Sequence, residues 1–128
     1  MAISIKNLHQ VKSHLAPRVI IYGPPGMGKT TLASEFPSPV FLQCEDVTPS
    51  DLTLSSFGRL TTYDEIMESI GALYTEDHPN KTVVIDSLDK LEPLVWAKLC
   101  ADNNWQNVEQ AGYGKAYVLA DTYWRDIL

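Results

Sequence analysis

The residues most directly suited to chemistry are Gly23-Pro24-Pro25-Gly26-Met27-Gly28-Lys29-Thr30, followed by Thr31. They fit the phosphate-binding pattern G-x-x-x-x-G-K-S/T at every fixed position. The glycines let the backbone adopt turns closed to other residues and approach a phosphate closely. Successive N–H groups of such a loop form an anion nest, and a helix beginning near Lys29 adds the positive end of its dipole. Lys29 supplies a point charge for β- and γ-phosphates, and the Thr30 hydroxyl is a ligand for Mg²⁺. The nucleotide-contacting set read from the loop is therefore Gly23, Pro24, Pro25, Gly26, Met27, Gly28, Lys29, Thr30 and Thr31, with Lys29 also catalytic.

A phosphate-bound Mg²⁺ also needs a carboxylate at the end of a nearby strand. Val83-Val84-Ile85-Asp86 supplies one, three apolar residues and then an acid where the strand exits. Asp86 is thus the expected metal carboxylate. Its alternative role is to cap the helix that follows. Hydrolysis further requires a group that polarises the attacking water. Ser87, not Glu, follows Asp86, so the search moves to Glu45, at the exit of the Val40–Cys44 run. A carboxylate there suits general-base catalysis. Asp46 is its rival, and a solvated loop acid is the bland alternative. Asp89 either supports the metal site from behind Asp86 or falls in the first turn of the next helix, where an acid interacts with the dipole.

These side chains need a scaffold. Arg18–Tyr22 before the loop reads as a short buried strand, and Thr30–Phe36 after it as a helix stopped by Pro37. Val40–Cys44 is a further buried strand, Lys81–Asp86 is the third convincing strand, and Phe57–Leu60 is a short strand or connector. Thr62 and Glu65 form a capping box, behind which Tyr63, Ile66, Met67, Ile70 and Leu73 predict a helix over 63–74. Leu88, Leu91, Val95 and Leu99 mark another, with Pro93 as a kink or first-turn disruption. Residues 101–114 read as irregular. Tyr117, Ala120, Trp124 and Ile127 give a last helical stripe over 116–128. Residues 1–17 form a leader, in which Leu8, Val11 and Leu15 suggest a short helix ended by Pro17. Strands alternating with helices imply a parallel α/β sheet, with its site at the strand carboxyl ends.

Composition narrows the choices. At 128 residues the chain makes one domain with a real core. The net charge of −6 argues against a broad nucleic-acid footprint. The acids are dispersed, as on a solvated surface. Cys44 and Cys100 lack the C-x-x-C or Cys/His spacing of a metal site, and are expected to be reduced. The N-terminus has no apolar signal-peptide core, and no apolar run reaches membrane-spanning length. A cytoplasmic protein that does not bind membranes is expected.

Three motifs occur in the order found in RecA-like recombinases, which this chain resembles. They are the loop Gly23–Thr30, the strand Phe41-Leu42-Gln43-Cys44-Glu45 ending in an acid, and the Asp-Ser segment Val83–Ser87. More closely, the chain resembles bacteriophage nucleotide-binding proteins of the AAA/RecA-like type that accompany recombination and single-strand annealing. Gly26–Ala33, Val84–Asp89 and Gly112-Tyr113-Gly114-Lys115 carry that likeness. The resemblance implies a single three-layer P-loop NTPase domain over 1–128 with a mostly parallel sheet, incomplete at its C-terminus. It implies ATP as ligand and Mg²⁺ as cofactor, with hydrolysis coupled to single-stranded DNA in the host cytoplasm. It also implies a homo-oligomer, with the DNA contacts mostly in regions absent here. Lys29 and Thr30 carry over as phosphate and metal residues, Asp86 as the metal carboxylate and Glu45 as the water activator. Gly112–Lys115 is either a turn before the last helix or a loop touching DNA or a neighbour. A non-catalytic nucleotide-binding or partner-docking module is the alternative function. A small-molecule kinase is disfavoured because only Arg18, Arg59 and Arg125 are present.

Overall fold

The computed structural model describes residues 3–12, 15–45, 51–112 and 114–128. Its centre is a parallel sheet of β1 (Pro39–Gln43), β2 (Ser55–Arg59) and β3 (Thr82–Asp86), in the order β2-β1-β3. The helices are α1 (Lys29–Ser34), α2 (Tyr63–Thr75), α3 (Leu88–Asn103) and α4 (Lys115–Ile127), with 3₁₀ turns at Ile5–Asn7 and Val108–Ala111. Parallel pairing requires crossovers, and α2 provides the one from β2 to β3. This is the expected α/β arrangement of a P-loop fold.

The pleat divides the sheet's side chains between two faces. On one face Leu42, Cys44 and Ile85 meet Leu60, Ile66, Leu91, Val95 and Leu99, with Ala116, Ala120 and Ile127 closing the core. Burying one such aliphatic side chain contributes about 1.5–3 kcal/mol, so this cluster is the main source of stability. Phe41 and Asp86 lie on the other face, where Thr30 of α1 meets Asp86.

Local signals explain the helix ends. Thr62 Oγ1 accepts from the Glu65 N–H at 3.1 Å. Only half the capping box forms, because the Glu65 carboxylate accepts from the Thr61 hydroxyl instead. Pro93 sits inside α3, which continues through it. At the helix junction Lys98 pairs with Asp64 and Asp102, and the Tyr123 hydroxyl donates to Asp102 at 2.7 Å.

Four expectations need correction. Arg18–Tyr22 is not a strand of the sheet: Val19, Ile20 and Tyr22 are 61%, 74% and 91% exposed. An apolar run specifies a wish for burial but not a partner, and here it finds no ladder. β2 and β3 form the two edges of the sheet, and β2, whose residues are all exposed, carries little apolar signature. In the leader, Leu8, Val11 and Leu15 are exposed and 8–12 are not helical. A short helix with no surface to pack on is marginal in water. α1 stops at Ser34 rather than Phe36, because the Glu35 N–H already turns back to the Ala33 and Leu32 carbonyls. In α4, Ala120 and Ile127 are buried as expected, with Ala116 beside them and Trp124 packed against the core, and only Tyr117 departs from the stripe. Tyr117 is mostly exposed and packs edge-on against Trp96.

Candidate phosphate and metal site

All three strands run the same way, so their carboxyl ends share one edge. Gln43 is in register with Asp86 on one side and with Arg59 on the other. The Cys44 N–H then donates to the Asp86 carbonyl at 2.9 Å, extending the ladder by one bond. Glu45 follows directly, half-buried at the exit of β1.

The glycine loop enters α1 at the same edge. Gly28 caps the helix with φ +88°, a conformation costly for any side chain, and Gly26 lies at φ +80°. Gly23 does not use the left-handed region, and a Cβ there would meet open space. The pattern's first glycine is therefore not required by backbone strain in this conformation. Lys29 Nζ donates to the Gly23 carbonyl at 2.6 Å and the Pro24 carbonyl at 3.0 Å. The ammonium thus folds over its own loop, where incoming phosphate oxygens would exchange with these carbonyls.

The decisive contact joins residues 56 positions apart: Thr30 Oγ1 donates to Asp86 Oδ2 at 2.9 Å. A hydroxyl and a carboxylate oxygen this close are hard donors able to share one small cation. Mg²⁺ is commonly held by one or two such protein oxygens together with phosphates and water. No cluster of three or more His, Cys, Asp or Glu side chains suited to a metal occurs among the described residues. Two protein oxygens of this kind fit a cation that takes its other ligands from phosphate and water. Asp86 does not cap α3. Ser87 occupies that position, after a cis Asp86–Ser87 peptide, and Asp89 lies in the first turn.

Cys44 lies beneath this edge. Burial, with the Asp86 and Glu45 carboxylates adding to it, pushes its thiol up to about 11. It remains a neutral thiol at ordinary pH. Asp46 and Tyr113 lie outside the described residues. Gly114 caps α4 and Lys115 begins it, the geometry of a turn entering the helix. Sequence reasoning missed Arg59 in the row beside Gln43. The signal was Phe57-Gly58-Arg59-Leu60, where a glycine interrupts a short strand.

No helix among the described residues is long and apolar enough to cross a membrane. Neither curated proteins nor solved structures yield a match. A protein-family model described as "AAA domain" matches residues 15–128, spanning the glycine loop, Glu45 and Asp86. With most of its length matched, the chain belongs to the AAA domain family.

Proposed function

We propose that this domain binds ATP with Mg²⁺ and hydrolyses it. The observation that supports the reading best is the Thr30–Asp86 contact, which joins the phosphate loop to an acid at a strand exit. The loop amides and Lys29 would hold the β- and γ-phosphates, and Thr30 and Asp86 would hold the metal. Bound Mg²⁺ neutralises charge developing on the phosphate oxygens. Glu45, at the adjacent strand exit, would accept a proton from the attacking water. Lys29 would stabilise the charge of the transferred group.

The resemblance extends the proposal to coupling with single-stranded DNA during phage recombination or annealing, in a homo-oligomer. ATP turnover by the chain should then rise with single-stranded DNA and vanish in Lys29→Ala. Binding of ATP without turnover, with or without DNA, would contradict the hydrolase reading. The exposed run Val19, Ile20 and Tyr22 favours a second reading, a nucleotide-binding module that docks a partner. Glu45→Gln separates the two, since it should abolish turnover but retain ATP binding only if the domain is an ATPase.

A further inference from the structure

The charges of this chain are divided along its length. With His counted as neutral, Lys6, Lys12, Arg18 and Lys29 are the only charged side chains before Glu35, and all 16 acidic residues lie at Glu35 or beyond. The basic leader also bares its aliphatic side chains: Ile3, Ile5, Leu8 and Val11 are at least 78% exposed. Single-stranded bases stack on aromatic rings, and residues 3–12 contain no Phe, Tyr or Trp. Aliphatic side chains interleaved with lysines fit an apolar surface with an acidic rim.

Such a surface lies at the end of the sheet away from the glycine loop. Val40 and Ser55 pair near the starts of β1 and β2, and beside them a groove of about 310 Å³ opens against the last turns of α2. Phe57, Ala72 and Leu73 give it an apolar wall, with Phe57 47% exposed. Glu76, Asp77 and His78 close its end. The C-terminus of a helix carries partial negative charge and favours a cation beside it. α2 has no basic residue in its last turn, and it is capped by Glu76 and followed by Asp77. No Lys or Arg lines the groove among the described residues. His78 spends its ring within the chain, with Nδ1 accepting from the Asn80 N–H at 3.1 Å and Nε2 facing the Leu73 carbonyl at 2.8 Å. Two acids at a negative helix end are unfavourable in the lone domain and favourable once a cation arrives.

We propose that this groove receives residues 3–12 of a second copy of the chain. The leader's aliphatic side chains lie against Phe57 and Leu73, and Lys6 and Lys12 meet Glu76, Asp77 and the end of α2. Charge complementarity selects this occupant, because the leader holds lysines with no acid among them and the groove end holds acids with no lysine. Within one chain both parts stay open: the leader is exposed and none of its described residues lines the groove. The contact joins different surfaces of the two copies, so it propagates head to tail into a ring or a filament. It rests on the homo-oligomer reading above and names the surfaces that would build it.

The test is sedimentation velocity of the whole chain over a range of concentrations, with and without MgATP. Wild type should associate as concentration rises, less so at high salt. Lys6→Glu/Lys12→Glu and Glu76→Lys/Asp77→Lys should each sediment as monomers where most of the wild type is assembled. Mixing the two variants should restore association, since the reversed leader of one then meets the reversed groove of the other. Variants that had merely misfolded, or a leader that docks on its own chain, would give no such rescue. Association indifferent to either reversal, or lost without rescue on mixing, would overturn this proposal and leave the homo-oligomer reading standing. A wild type that stays monomeric with and without MgATP would overturn both. A monomer whose Lys6→Glu/Lys12→Glu variant loses binding to labelled oligo(dT) would do the same, and would put the leader on nucleic acid instead.

Discussion

The two faces of the sheet are held by different physics. On the α2–α3–α4 face, Leu42, Ile66, Leu91 and Val95 lie out of water, and non-directional burial dominates. On the other face, the loop before α1 is exposed, and its geometry rests on hydrogen bonds to Lys29, the Thr30–Asp86 contact and positive-φ glycines. A packed core tolerates little change in volume, whereas a polar loop can exchange its partners for a ligand's oxygens. Stability and chemistry are therefore largely separable in this chain, and substitutions on each face should reveal different losses.

The largest stability effect should come from the core. Leu91→Ala should cost about 2–5 kcal/mol in urea unfolding, because Leu91 is fully buried and its neighbours fill the cavity only in part. If the domain still folds, its affinity for MgATP should remain close to that of wild type. Lys29→Ala should show the opposite pattern. Unfolding without nucleotide should stay within about 0.5 kcal/mol of wild type, as for most surface substitutions. The stabilisation given by ATP should disappear, about 2.7 kcal/mol at a hundredfold excess over Kd. Loss of stability in Lys29→Ala without ligand would show that the faces are coupled.

The bulge in β2, where Phe41 pairs with Ser56 but Gln43 with Arg59, lies between the two regimes. Gly58→Ala forces a side chain into φ +82°, with open space around its Cβ. The expected cost is about 1–2 kcal/mol, from backbone strain rather than packing. A larger loss would mean that Leu60 had left the core as well.

The smallest effect concerns alkaline pH. The Asp102 carboxylate, accepting from the Tyr123 hydroxyl, pushes that phenol up to about 12, with burial adding to the shift. A group whose folded pKa is raised binds its proton more tightly in the folded state. Its contribution is complete below the unfolded value near 10 and is lost as pH rises towards about 12. Cys44 adds the same sign from about 9 to about 11. Tyr123→Phe should flatten the fall in stability between pH 10 and 12 while leaving the Cys44 part, as followed by urea unfolding across pH.

Much of this arrangement was legible in the residues. The loop, the strand ending at Asp86 and the stripe of α2 each follow from local patterns whose physics is local. What stayed hidden depends on partners. Arg18–Tyr22 reads as a buried strand because Val19, Ile20 and Tyr22 are apolar, yet nothing in the run names a neighbouring strand. β2 escaped a firm assignment for the converse reason: an exposed edge strand needs no apolar face. Arg59 was out of reach because a single positive φ at Gly58 reverses which side of the sheet its neighbours occupy. The Thr30–Asp86 distance is tertiary as well, although the pairing of roles was not.

Asp86 is proposed to complete a metal–phosphate site begun by the loop. Thermal unfolding of wild type and Asp86→Asn, each with ATP and with or without Mg²⁺, tests it most directly. Mg²⁺ should add to the ATP-dependent rise in Tm of wild type and add little to that of Asp86→Asn, with both chains alike in the absence of nucleotide. An equal Mg²⁺-dependent rise in the two proteins would contradict it.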